Sequence, residues 1–226
     1  MNRWSAQFED VLMLLTAGRF EKELFRAKEI FFKKLGRSHE EKNNFYEAIS
    51  QSFLEWYVFD YECEASGKTP AITFFSQNYG TPSLRDFLKK SIFHHWSFFK
   101  VDSIESETVI LEDLLIGCQR NYSVEGNESS IYLWKPKVGQ IVQARLFERE
   151  DRTNFATHVW VHPESEYSSL EKLFSDLRLH WGLHRNLLKD FLEGLLRSLE
   201  LGDQLRVVGG RNWIYQELIK SYAKKK

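Results

Sequence analysis

Between Trp96 and Pro163 the hydrophobic pattern of this chain changes period, and that change limits the fold more than any other feature. Upstream of it, Phe8, Val11, Leu12 and Leu15 recur at the spacing of an amphipathic helix. Phe20, Leu24, Ala27, Phe31 and Leu35 do the same, with Gly18 at the corner between the two sets. Within it, short runs over 98–104, 108–111, 119–124, 140–147 and 157–161 alternate or are β-branched, and Gly117, Gly126, Asn127, Pro136 and Gly139 separate them. Such runs, with no helical period between them, predict a small central antiparallel β sheet or barrel, and the spacing leaves SH3-like and OB-like barrels both open. Downstream the helical period returns. Ser168 and Glu171 form a capping box before Leu170, Phe174 and Leu177, and a further stripe of Leu187, Leu188, Phe191, Leu192, Leu195, Leu196 and Leu199 ends at Gly202.

The expectation is an α+β protein: an N-terminal helical segment over 1–56, a β-containing core module over 57–163, and a C-terminal helical segment over 164–226, packed as one compact unit. Eighteen Phe, nine Tyr and seven Trp supply enough apolar bulk for a core without metal or disulfide.

The stretch WYVFDYECEASGKTPAITFF, from Trp56 to Phe75, sits where the two textures meet. A third helix, opened by the capping pair Ser38 and Glu41 and faced by Phe45, Ile49, Phe53 and Trp56, runs into it. Tyr57, Phe59 and Tyr61 then read as one face of a strand, with Val58, Asp60 and Glu62 on the other. Thr69-Pro70 and Thr81-Pro82 each place a capping threonine before a proline at the first helical position. Asp60 is a charge among aromatics, costly unless paired or hydrogen-bonded. The expected role is structural: its carboxylate accepts amides of the 62–68 loop or of the helix that starts at Thr69. Asp113 reads as a turn residue bonding nearby amides.

The ordered set FLEWYVFDY, KTPAITFF, FFKVDSIESETVILEDLLIGCQRNYSV and VGQIVQARLF resembles the uncharacterised bacterial proteins whose domain accompanies the SEC-C zinc-chelating motif. The positions that carry the likeness are Trp56, Phe59, Asp60, Thr69, Val109, Leu111, Asp113, Gly117, Gly139, Ala144 and Arg145, within roughly residues 45–163. The SEC-C cysteine cluster itself is absent, so zinc binding does not carry over. The resemblance implies an architecture and an accessory or interaction role.

Charge and motifs narrow the chemistry. The net charge of −1 offers no global attraction for polyanions, and the 56–163 segment carries eleven basic against fourteen acidic residues. Lys224-Lys225-Lys226 reads as a solvated tail. Two cysteines, Cys63 and Cys118, make neither a disulfide scaffold nor a thiolate zinc site. His158 and His162 lie about 13 Å apart along a strand, too far to share one ion. His180 and His184 have helical spacing but are interrupted by Gly182, and His94-His95 read as residues at a helix end. No nucleophile elbow or phosphate loop occurs. No catalytic, metal or cofactor site is assigned, and an enzyme would need Asp60 gathered with histidines or a second carboxylate. With no secretory apolar core and no membrane-length apolar run, a soluble cytoplasmic protein without a membrane partner is expected. The expected partner is another protein. Nucleic acid is the alternative, contacted through Trp134, Lys135, Lys137, Arg145 and Trp160 of the β module.

Overall fold

The structure, a computed structural model, describes residues 3–35, 46–106, 108–117, 121–125, 135–149, 152–162 and 164–181. Five helices come first: α1 (Arg3–Leu15), α2 (Glu21–Leu35), α3 (Tyr46–Phe59), α4 (Pro70–Ser76) and α5 (Pro82–Ser91). Five strands follow: β1 (His94–Glu105), β2 (Thr108–Asp113), β3 (Asn121–Glu125), β4 (Ile141–Arg149) and β5 (Arg152–Val161). A 3₁₀ turn then leads into α6 (Tyr167–Trp181). The α+β reading holds, with helices at both ends of the described region. The C-terminal stripe from Leu187 to Leu199, the capping pair Ser38 and Glu41, Cys118, His184 and Trp134 lie outside the described residues.

The helical layer buries the stripes read from the sequence. Phe8, Val11 and Leu15 of α1 meet Ala27 and Phe31 of α2 and Phe53, Tyr57 and Phe59 of α3 in one core. Gly18 turns the corner between α1 and α2 at φ +60°, and the Tyr57 hydroxyl donates to the Leu15 carbonyl at 2.8 Å, fastening α3 to the end of α1. Both threonine caps form: Thr69 Oγ1 accepts from the Ile72 amide and Thr81 Oγ1 from the Leu84 amide, each at 3.3 Å. Just before the second cap, Gly80 sits at φ +76°, where a Cβ would lie 2.7 Å from the Phe74 ring.

The strand expected over 57–61 is helix instead. α3 continues through Phe59, and the Asp60 and Tyr61 amides both donate to the Trp56 carbonyl at 2.9 Å. The physical reason is burial on several sides at once. α3 touches α1, α2, α4 and β5, so an apolar run without clear alternation suits it, and such a run does not distinguish a buried helix from a strand. The helical core therefore extends past residue 57, taking in Tyr61, Phe74, Leu84, Phe87 and Leu88.

The strands close into a barrel in the order β1-β2-β3-β5-β4. Four pairings are antiparallel, and β3 closes on β5 in parallel where Val124 meets Thr153. β1 serves two neighbours, pairing with β4 over its first seven residues and with β2 from Phe99 onward. A register shift between Val101 and Ser103 bends it to do so. This strand order is that of an OB-type barrel, which settles the choice that spacing left open. Alternate side chains fill the interior: Phe99, Val101, Val109, Leu111, Tyr122, Val124, Val142, Ala144, Leu146 and Phe155.

Two helical bodies cover the outer faces of β1 and β4. Phe147 joins the helical core. Beyond the other end, α6 packs Phe174 on Phe98 with ring centroids 4.7 Å apart. α6 opens at Tyr167, so Ser168 lies inside its first turn and the expected capping box is not its start. Glu171 turns instead to Lys100, whose Nζ donates to it at 2.6 Å.

Candidate functional site

Adjacent residues on a strand face opposite sides, and β1 begins with His94-His95. One histidine therefore enters a cluster beneath the helical layer and the other a cluster at the barrel mouth, each built on one of the two aspartates singled out in the sequence.

The outer cluster centres on Arg145 of β4, whose side chain is only 3% exposed. Its Nη2 donates to Asp60 Oδ2, just past the last residue of α3, and its Nε lies 3.6 Å from Glu55 Oε2, one turn earlier on the same helix. The guanidinium also lies over the Phe59 ring, 5.4 Å from its centroid. His94 completes the group: Nε2 is 3.7 Å from Asp60 Oδ1, and Nδ1 is 3.3 Å from the Ser91 carbonyl at the end of α5. The residue opens β1 rather than ending a helix, yet it still meets a helix-terminal carbonyl. Burial pushes the Asp60 carboxyl upward, but the Arg145 guanidinium and His94 outweigh it and hold it well below the usual carboxylate range. Burial and then Arg145 push the His94 imidazole down, against the pull of Asp60.

An aspartate at a helix C-terminus faces the negative end of the helix dipole, an unfavourable place for a carboxylate. Arg145 reverses that sign. Several of the 62–68 loop amides expected to bond Asp60 donate elsewhere: Cys63 N to Lys68 O and Gly67 N to Cys63 O. Through Arg145, Asp60 pins the end of α3 to the barrel.

The inner cluster centres on Asp113, fully buried at the end of β2. Its Oδ1 accepts from Ser97 Oγ at 2.9 Å and from the Leu115 and Ile116 amides at 2.8 and 2.9 Å, the turn role expected of it. Its Oδ2 accepts from Nε2 of His95. Burial raises the Asp113 carboxyl, and the bonds from His95, the Ile116 amide and Ser97 more than offset it, so the group stays below its ordinary value. An ionised carboxylate only accepts, which makes Nε2 of His95 the donor. The His95 ring stacks on Tyr122, centroids 5.5 Å apart and 18° from parallel, and meets Phe99 edge-on at 5.8 Å. Its side chain is 29% exposed.

The surface constellation expected around Arg145 does not form. α3 covers the face of β4 that carries Arg145, so this residue belongs to the interior and is no surface contact. Lys135 and Lys137 are exposed in the turn before β4. Trp160 stands opposite Gln143 on β5, and its side chain lies outside the described residues. Trp56 packs on Phe31 and Tyr61 at 5.3 and 5.4 Å. Glu55 and Ser97 joined these clusters without being singled out, and His94 and His95, expected at a helix end, entered from the start of β1 with different roles. No local spacing marks them, because their partners come from other elements. Among the described residues no group of three or more His, Cys, Asp or Glu could hold a metal ion, and no helix is long and apolar enough to cross a membrane.

Fold and clusters together define an α+β protein built on an OB-type barrel, with one buried carboxylate cluster joining it to the helical layer and another at its mouth. No family model, curated protein or solved structure matches the chain.

Proposed function

We propose that this chain is a non-catalytic accessory module of the cytoplasm that binds another protein through the outer surface of its helical layer, the barrel serving as scaffold. The observation that carries this reading is where apolar surface remains exposed. Of eleven large hydrophobic residues exposed among those described, seven precede β1: Met13, Leu14, Phe25, Ile72, Phe75, Tyr79 and Phe93. Phe93 is 76% exposed, Met13 64% and Phe25 61%. Single exposed hydrophobics are ordinary, so the reading rests on large aromatics as open as Phe25 and Phe93, which the proposal assigns to partner contact. Tyr79 adds an aromatic held under the Arg19 guanidinium, 3.6 Å from the ring centroid. The likeness to the SEC-C-associated proteins supports the same reading, and we place the chain with them as part of the proposal.

Nucleic-acid binding through the barrel loses its central cation with the burial of Arg145. The outer face of β2 and β3, where OB barrels hold oligonucleotides, presents Ile110, Glu112 and Ser123. Affinity capture with wild type and a folded Phe25→Ser/Phe93→Ser variant, run in parallel, tests the proposal. A partner recovered reproducibly by wild type and lost from the variant is expected. Equal recovery by both, or no partner at all, refutes it. Anisotropy with labelled RNA and DNA at low salt should stay flat.

A further inference from the structure

The Asp113 carboxylate has more to do than close its turn. Its Oδ1 already takes the Ser97 hydroxyl and both turn amides, so the bond from His95 to Oδ2 is additional to the turn. That bond fixes the tautomer and the plane of the ring, and Tyr122 and Phe99 hold the plane from the side. Nδ1 is left on the partly exposed edge of the ring, outside the buried unpaired atoms and with no described partner. His94 and His162 differ from it. His94 has one ring nitrogen beside Ser91 O and the other beside Asp60, with its side chain 12% exposed, and His162 is 1% exposed.

We propose that His95 is a phosphoryl-accepting histidine that takes the group on Nδ1 from a small donor of the acyl phosphate class. An imidazole oriented through one nitrogen by a carboxylate, with the other nitrogen open, is the arrangement of an activated nucleophile. The Nδ1 lone pair forms the new N–P bond as the bridging P–O bond of the donor breaks, and the carboxylate leaves with that electron pair. The imidazolium so formed keeps its Nε2 proton donated to Asp113, so the positive charge arises against a fixed negative one. No further reactant is needed.

The test uses the full chain with acetyl phosphate as the probe. Intact mass should show one added phosphoryl group, labile in acid and stable in alkali, mapped to His95 and absent from His95→Gln. His94→Gln should be modified like wild type. Asp113→Asn, which retains the turn but weakens the charge behind the ring, should react at least about tenfold more slowly. The wild-type and His95→Gln comparison decides the matter even if Asp113→Asn fails to fold, since His95 is partly exposed and its replacement leaves the three bonds to Oδ1 in place. No incorporation into folded wild type overturns the proposal, as does equal incorporation into His95→Gln.

Discussion

Replacing Arg145 by Met removes the guanidinium while keeping most of its length and apolar stem. It leaves the Asp60 and Glu55 carboxylates facing a covered strand without their cation. Removing one partner of a buried ion pair costs about 3–5 kcal/mol, because the remaining charge keeps its desolvation penalty. The low exposure of Arg145 and Glu55, 3% and 8%, puts this pair in that regime rather than among surface pairs worth about 1 kcal/mol or less. For a chain of this size each kcal/mol moves the melting temperature by about 2–4 °C, so a fall of about 10 °C is expected.

Asp60→Asn should cost less, about 1–3 kcal/mol, since Arg145 retains Glu55 and the amide oxygen still accepts. The double variant should lose less than the two single losses added together, and the shortfall measures the coupling. The pH dependence has a definite sign. The folded carboxyl of Asp60 is depressed, so its contribution is present above the unfolded value near pH 4 and is lost as pH falls toward the folded one. The gap between wild type and Asp60→Asn should therefore narrow in acid. Urea unfolding followed by circular dichroism and tryptophan fluorescence measures all of these. An Arg145→Met variant within about 1 kcal/mol of wild type, or two single losses that simply add, would refute the idea that the pair pins α3 to the barrel.

Two other groups report on how α3 is held, His94 at the barrel and Tyr57 at the end of α1. The His94 imidazole is pushed down in the fold by burial and by Arg145, so its contribution is full above the unfolded value near pH 6.5 and declines as pH falls below it. Melts between about pH 8 and pH 5 should show that decline, and His94→Gln should flatten it. Tyr57→Phe deletes a buried hydroxyl that donates to Leu15 O at 2.8 Å and should cost about 1–2 kcal/mol in urea unfolding. An unchanged midpoint would mean that the bond adds nothing to the α1–α3 contact.

Features governed by local rules were legible in the sequence. A threonine before a proline sets a cap through its own hydroxyl and a fixed φ, so Thr69 and Thr81 could be read without knowing the rest of the fold. The strands likewise announced themselves by alternation, because the barrel interior selects every second side chain. α3 was harder for a related reason. Contacts on several sides erase the polar face from which helical period is read, so the run from Tyr57 to Glu62 reads as the two faces of a strand, with Asp60 on one of them. Strand order was illegible too, since the β3–β5 closure brings together segments with no local signature of pairing.

The clusters show most clearly why the site lay beyond spacing. Asp60 was identified as a charge that needed a partner, and Arg145 as a cation on a strand, but chain separation gives no reason to join them. The burial of α3 against β4 does that, and the same burial takes Arg145 away from any surface role. His94 and His95 then follow from one property of β1. Because the strand turns neighbouring side chains to opposite faces, one imidazole is drawn into the joint between helices and barrel while the next reaches Asp113 at the mouth. The joint uses both ring nitrogens of its histidine, whereas the mouth uses only one. That difference separates the histidine that holds layers together from the one still able to react.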